Sequence, residues 1–341
     1  MKNQIARAAL LSFFALQFGC SPQTDAQKTE QLNHVDTYSE FGGLIDEDSI
    51  AMDKIQEMEE SDDPKLDLED KVEILSNKDK ILIVGDSWAT FPCLYNSMGK
   101  MIDEVNAKIT EDNRCLRTTK LGVEASDWIG SKQDLRVIKF LKKTSRIKYL
   151  YLSLGGNDLM GNWNKNFTPQ QELKLFADTF DVVQKIINNY LEIRPDIKIV
   201  LSGYDFPDFK PNHKIGLYKK IFERMLSPSE LRINRALVGF TRFMLPIANG
   251  KNIFYIHHLG LSQYYDGVPE KNFPARTTLA PDQISPWNDP SVVGGNVNFP
   301  SSDKSMINWL FLVRDAFHLN NRMYKNLMIH TYDNTLSHII P

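Results

Sequence analysis

Cysteine is scarce in this chain of 341 residues: three are present, and with Cys20 set aside only Cys93 and Cys115 remain, enough for one bridge at most. Positive charge is not in excess either. Forty lysines and arginines stand against 43 aspartates and glutamates, a formal charge of −3, so no basic stripe is available to neutralise phosphates and nucleic acid is not an expected partner. The apolar stretch from Ala8 to Gly19 is too short to span a bilayer. Metal-ligand spacing is missing as well. His257 and His258 fall at the end of a predicted strand, where neighbouring side chains point to opposite faces and cannot readily clasp one ion, so neither metal nor cofactor is expected. What remains is the composition of an ordinary globular protein, long enough to bury a real core.

The N-terminus is read before the fold. Lys2 and Arg7 precede the apolar stretch, the pattern of a secretory signal over residues 1–20. Its end, Leu16-Gln17-Phe18-Gly19-Cys20, resembles the bacterial lipobox, which implies export, a lipidated Cys20 and a membrane anchor without a spanning helix. From residue 21 to 70 the chain is polar and increasingly acidic, as in Glu59-Glu60-Ser61-Asp62-Asp63, and is read as a flexible spacer. These acids lack the glycine turn and spacing of a calcium loop. The folded domain is expected over residues 71–341. In an exported protein Cys93 and Cys115 can form a disulfide, two separate buried thiols being the other reading.

Beyond Lys71 short β-branched runs alternate with helical stretches. Strands are predicted at Ile81 to Val84, Leu116 to Leu121, Ile147 to Leu154, Ile197 to Ser202 and Ile253 to His257. Helices are predicted at Phe91 to Lys108, Lys132 to Lys143, Pro169 to Ile193, Lys214 to Ala248 and after Leu319. Thr168, Pro169 and Gln171 form a capping box with proline in the first turn, and Arg194-Pro195 ends that helix. Strands apolar on both faces and separated by helices imply a three-layer α/β/α sandwich around a mainly parallel sheet of about five strands, with a flavodoxin-like winding. Ligands bind such sheets beyond the carboxyl ends of the strands.

Three blocks fall there. Gly85-Asp86-Ser87 sits at a strand-to-helix turn that would present the serine hydroxyl. Gly155-Gly156-Asn157-Asp158 follows the third strand, and Asp315-Ala316-Phe317-His318 lies in the loop predicted before the last helix. A serine becomes a useful nucleophile only when a base removes its proton; His318 is that candidate, with Asp315 three residues earlier fixing its tautomer. The developing oxyanion needs preorganised donors, for which the candidates are the Ser87 amide, the Gly122 amide and the Asn157 side chain. Asp158 is read as bracing its own turn. A Gly-Asp-Ser triplet alone arises by chance on the order of once in ten chains this long, so the conjunction of all three blocks in order carries the weight.

Over residues 78 to 335 these blocks resemble those of SGNH hydrolases of the GDSL family, with Trp88 where the family name has leucine. The resemblance implies Ser87 as nucleophile, His318 as base, Asp315 as its orienter and Ser87, Gly122 and Asn157 as the oxyanion hole, with Gly130 competing for the place of Gly122. It implies a serine esterase acting on a small-molecule or glycan ester. Two other classes share the kit: an O-acyltransferase on an envelope polysaccharide, and a non-catalytic glycan-binding relative.

Substrate hints lie between the blocks. Trp88, Trp128 and Trp163 flank them, and the segment 259–302, with Tyr264, Tyr265 and Trp287, is read as a lid or cleft wall. These aromatics, each equally able to be a packing residue, could stack on sugar rings or line an acyl pocket; an envelope-tethered enzyme whose insert has no evident apolar run favours a small acyl group on a polar or glycan substrate. His213, His330 and His338 are read as surface or satisfied core residues.

Overall fold

A computed structural model of the chain describes residues 78–210, 216–266, 296–309 and 313–341. The residues read as a signal segment and acidic spacer, Cys20, His213, Trp287 and most of the segment 259–302 lie outside these residues.

Strand β1 (Asp79–Gly85) is buried on both faces through Ile81, Leu82, Ile83 and Val84, as a central parallel strand requires. It feeds α1 (Ser87–Leu94), α2 (Ser97–Val105) and the short strand β2 (Ile109–Glu111). There follow α3 (Ala125–Trp128), α4 (Lys132–Lys143), β3 (Ile147–Ser153), α5 (Gly156–Asn162), α6 (Pro169–Ile193) and β4 (Lys198–Ser202). The chain closes through α7 (Gly216–Arg224), α8 (Glu230–Met244), β5 (Ile253–Ile256), α9 (Leu261–Asp266), β6 (Met306–Trp309), β7 (Val313–Leu319) and α10 (Asn321–Thr331).

The first five strands form one parallel sheet in the order β2-β1-β3-β4-β5. One layer holds α1, α2 and α10; the other holds α3 to α6 and α8. The fold is therefore the expected α/β/α sandwich. The winding reverses direction between β1 and β3, which opens a crevice beyond their carboxyl ends. Helix α6 runs between its predicted limits because Thr168 and Gln171 exchange both capping-box hydrogen bonds, at 2.8 and 3.3 Å.

Four local expectations are corrected. The predicted strand Leu116 to Leu121 is a 3₁₀ turn at Cys115–Arg117 followed by a single bridge from Thr119 to Gly85, and the edge strand is Ile109–Glu111 instead. The β-branched threonines mislead because they run beside β1 without extending: Thr118 spends its hydroxyl on Ile83 O. The helix predicted from Phe91 begins at Ser87 and breaks at Asn96, a left-handed residue (φ 50°) of a type that tolerates that region. The region from Lys214 to Ala248 is likewise two helices, separated by left-handed Leu226 and Ser227. Finally, Asp315 and His318 come from β7 of a two-stranded antiparallel pair, β6 with β7, rather than from a loop.

Cys93 near the end of α1 and Cys115 are joined as a disulfide, with Cα atoms 6.0 Å apart. Among the described residues no helix is long and apolar enough to cross a membrane.

Candidate active site

The crevice is built first by glycines. Gly85 ends β1 at φ +134°, and a Cβ there would lie 2.0 Å from Ser153 O, so only glycine lets β1 and β3 come this close beneath the site. The next residue, Asp86, caps α1 by accepting from the Trp88 amide at 2.9 Å. Ala89 and Thr90 donate to Asp86 O. Ser87 thus opens the helix with an amide not used by any described residue, one of the donors every helix start leaves over.

Ser87 is buried, and its Oγ lies 2.8 Å from His318 Nε2. His318 Nδ1 lies 2.9 Å from Asp315 Oδ2. The other oxygen, Oδ1, accepts from the amides of Phe317 and His318 at 2.7 and 2.9 Å, so the carboxylate is clamped to its own segment. That segment is irregular. Met306 pairs with Leu319 and Asn308 with Arg314, so two steps along β6 match five along β7, and the surplus falls on the stretch holding Asp315 and His318. Bulges of this kind re-aim side chains beside active sites.

Burial alone would raise Asp315, but the facing His318, hydrogen bonds from His318 and the Phe317 amide, and a further one from Tyr218 outweigh it and hold the carboxyl below its ordinary range. Asp86 behaves oppositely. Burial pushes it up to about 7, against the lowering effects of Tyr204, the Trp88 amide and His318. Phe91 packs on the His318 ring, centroids 4.7 Å apart.

Asn157 lies in the first turn of α5 and is half-buried; one of its two amide hydrogens goes to Val123 O at 3.0 Å, which aims the group and leaves the other available. Val123 follows Gly122, a left-handed residue (φ +65°) whose amide makes no hydrogen bond to a described residue. Gly130 does not share that property, since its amide donates to Asp134 Oδ2 at 2.8 Å. Gly122 is thus the better oxyanion candidate, although it does not line the cleft that holds Ser87, Asn157 and His318. Asp158 accepts from the Ala125 amide at 2.7 Å and so ties α5 to α3.

The cleft measures about 700 Å³ with its open mouth included. Its remaining wall is mostly apolar, through Trp88, Met160, Ile221, Leu237 and Phe317, with Asp205, Tyr218 and Arg224 among its polar lining. Of Trp88, Trp128 and Trp163, only Trp88 contributes. Trp128 is fully buried and donates to Tyr190 Oη, and Trp163 is buried, bonded to Glu172 beneath Arg232; neither lines the cleft, nor do Tyr264 and Tyr265.

His258 and His330 are buried, their Nδ1 atoms 3.1 Å apart, and His258 Nε2 lies 3.0 Å from Ser202 Oγ. Burial and the two neighbouring histidines hold His258 well below its ordinary value. His338 is exposed.

Two residues were missed from sequence. Tyr204 lines the cleft just past the end of β4, where ligands bind in such sheets, a position that could have flagged it. Tyr218 reaches Asp315 from α7, and no local signal marks it.

No protein-family model and no curated protein matches the chain. Among solved structures it is similar to a carbohydrate esterase family 3 protein from Talaromyces cellulolyticus, at 10% identity and TM-score 0.40, covering 77% of this chain and 98% of that one. A Clostridium thermocellum family 3 carbohydrate esterase matches at 14% identity and TM-score 0.37 over 77% and 98% of the two chains. The periplasmic domain of a Salmonella ser. Paratyphi A lipopolysaccharide acetyltransferase matches at 14% and 0.36 over 79% and 86%.

Proposed function

We propose that this protein is a serine esterase that cleaves a carboxylic ester through an acyl-enzyme on Ser87. The observation that carries the reading is the unbroken hydrogen-bonded line Asp315–His318–Ser87, whose three members come from two elements and meet at one cleft. As Ser87 Oγ bonds to the ester carbon, its proton passes to His318 Nε2, while Asp315 stabilises the imidazolium. The carbonyl electrons collect on oxygen, where the Ser87 amide, the Asn157 side chain and the Gly122 amide are the donors on hand; one such donor contributes about 3 kcal/mol in enzymes where it has been removed. Collapse breaks the carbon–oxygen bond to the alcohol, which takes the proton from His318. Water then repeats the sequence and frees Ser87.

The cleft wall supports an acyl group of several carbons over the small acyl group expected from an insert without an apolar run. Trp88, Met160, Ile221, Leu237 and Phe317 offer a chain apolar surface, and each buried methylene adds about 0.8 kcal/mol. Export and a lipid on Cys20 belong to the same reading, supported by the N-terminal pattern.

A fluorophosphonate probe tests the mechanism. Wild-type protein should be labelled at Ser87, with labelling abolished in Ser87→Ala and slowed strongly in His318→Ala; an unlabelled wild type would sink the proposal. Across p-nitrophenyl esters of rising chain length kcat/KM should climb beyond acetate, and a maximum at acetate would remove the acyl-pocket reading.

A further inference from the structure

We propose that Tyr204 is a positioning residue whose phenol sets the distance between the nucleophile and the Asn157 oxyanion donor. The inference rests on the esterase reading of Ser87 and Asn157. Neither residue touches Tyr204 through its reacting atom; the link runs through their predecessors. Gly156, just before Asn157, donates its amide to Tyr204 Oη at 2.8 Å. Tyr204 Oη donates in turn to Asp86 Oδ2 at 2.7 Å, and Asp86 immediately precedes Ser87. The directions follow from the donors present, because a backbone amide can only give its proton and the phenol has one to pass on. Asp86 Oδ1 is already committed to the Trp88 amide, so both carboxylate oxygens hold the start of α1 in place.

The ring adds a steric constraint to the polar one. A Cβ on Gly156 would fall 2.4 Å from Tyr204 Cζ and 2.5 Å from Cε1, so the α5 start rests directly on the phenol. On the other side Trp88 meets the ring edge-on, with centroids 5.4 Å apart. Tyr204 is buried and therefore has little room to shift. The starts of two helices thus converge on one side chain: α1 through Asp86 and Trp88, α5 through Gly156. Oxyanion donors act only when they lie about 2.7–3.1 Å from the charge, and a displacement of about 1 Å can cost on the order of 100-fold in rate. A hydroxyl that fixes this separation influences the reaction without touching substrate.

Tyr204→Phe retains the ring and deletes only the link. On a short p-nitrophenyl ester it should lower kcat about 10- to 100-fold with KM changed less than about twofold. The distinguishing readout is a double-mutant cycle. In an Asn157→Ala background the same substitution should cost less than about threefold, because the donor that Tyr204 aligns is gone. Asp86→Asn, which leaves the ring and Gly156 untouched, provides a second arm and should be equally non-additive with Tyr204→Phe. Additive losses in both cycles, or an unchanged kcat in Tyr204→Phe, would overturn the role of Tyr204 while fluorophosphonate labelling of the wild type kept the esterase reading intact. An unlabelled wild type would overturn both.

Discussion

The Cys93–Cys115 bridge closes a loop with a sequence separation of 22, and the entropy it removes from the unfolded chain can be worked out. In the chain-entropy account a loop of this length is worth about 11 cal/mol/K, or about 3.4 kcal/mol at 25 °C. For a domain of this size that corresponds to a fall of about 7–14 °C in melting temperature on reduction. The assay is thermal and urea unfolding of the same protein with and without a reductant, which leaves every other atom in place and avoids the cavities that cysteine substitutions would create. Alkylation of the denatured chain should show a gain of two reactive thiols after reduction. No part of the Asp315–His318–Ser87 line passes through the bridge, so folded, reduced protein should retain the proposed esterase activity within about threefold. Coincident unfolding curves, or two extra thiols already free before reduction, would refute the reasoning.

Asp315→Asn should lower kcat by about 10³–10⁴ with KM little altered, since the amide oxygen would keep the Phe317 and His318 amides and turn its NH₂ toward Nδ1. That forces the imidazole proton onto Nε2, where it cannot receive one from Ser87; a loss below tenfold in steady-state kinetics would contradict it. Stability should respond to pH through Asp86, whose folded value near 7 exceeds its ordinary 3.8. The folded state then holds a proton that the unfolded chain sheds, so this contribution is complete below about pH 4 and is lost as pH rises to 7, at up to about 1.4 kcal/mol per pH unit. In urea titrations Asp86→Asn should flatten that fall, and an unchanged slope between pH 4 and 7 would rule it out. Asp315, lowered on folding, works in the other direction, and its contribution disappears as pH drops below about 4.

Much of the layered fold was legible because each central strand is a dense apolar run and each long helix carries its own stop signals. Pro169 and Arg194-Pro195 bracket α6 at the sequence level, and the capping bonds form where those residues predict them. Legibility failed where tertiary partners override local preference. The threonines at 118 and 119 have strand character yet serve β1 as side-chain and single-bridge partners. The β6–β7 pair escaped notice because its register jump breaks the period of two. At the site, the structure brings together residues of two local motifs, Ser87 with Asp315 and His318, whereas Tyr204 and Tyr218 belong to no motif and reach the site through distant contacts. Trp128 and Trp163 show the converse: proximity in sequence to a motif placed them near the cleft, while their buried indole nitrogens were already committed to Tyr190 and Glu172.

The contact between Ser87 and His318 spans 231 residues, whereas that between His318 and Asp315 spans three. A chain made from its N-terminus therefore carries its proposed nucleophile long before the proposed base exists, and the Asp315–His318 pair arrives together, already oriented by its own backbone. Until β7 has docked, Ser87 is an ordinary alcohol. On the proposed esterase reading, the protein would be inert toward esters throughout its synthesis, and activity would switch on only when the last part of the domain folds.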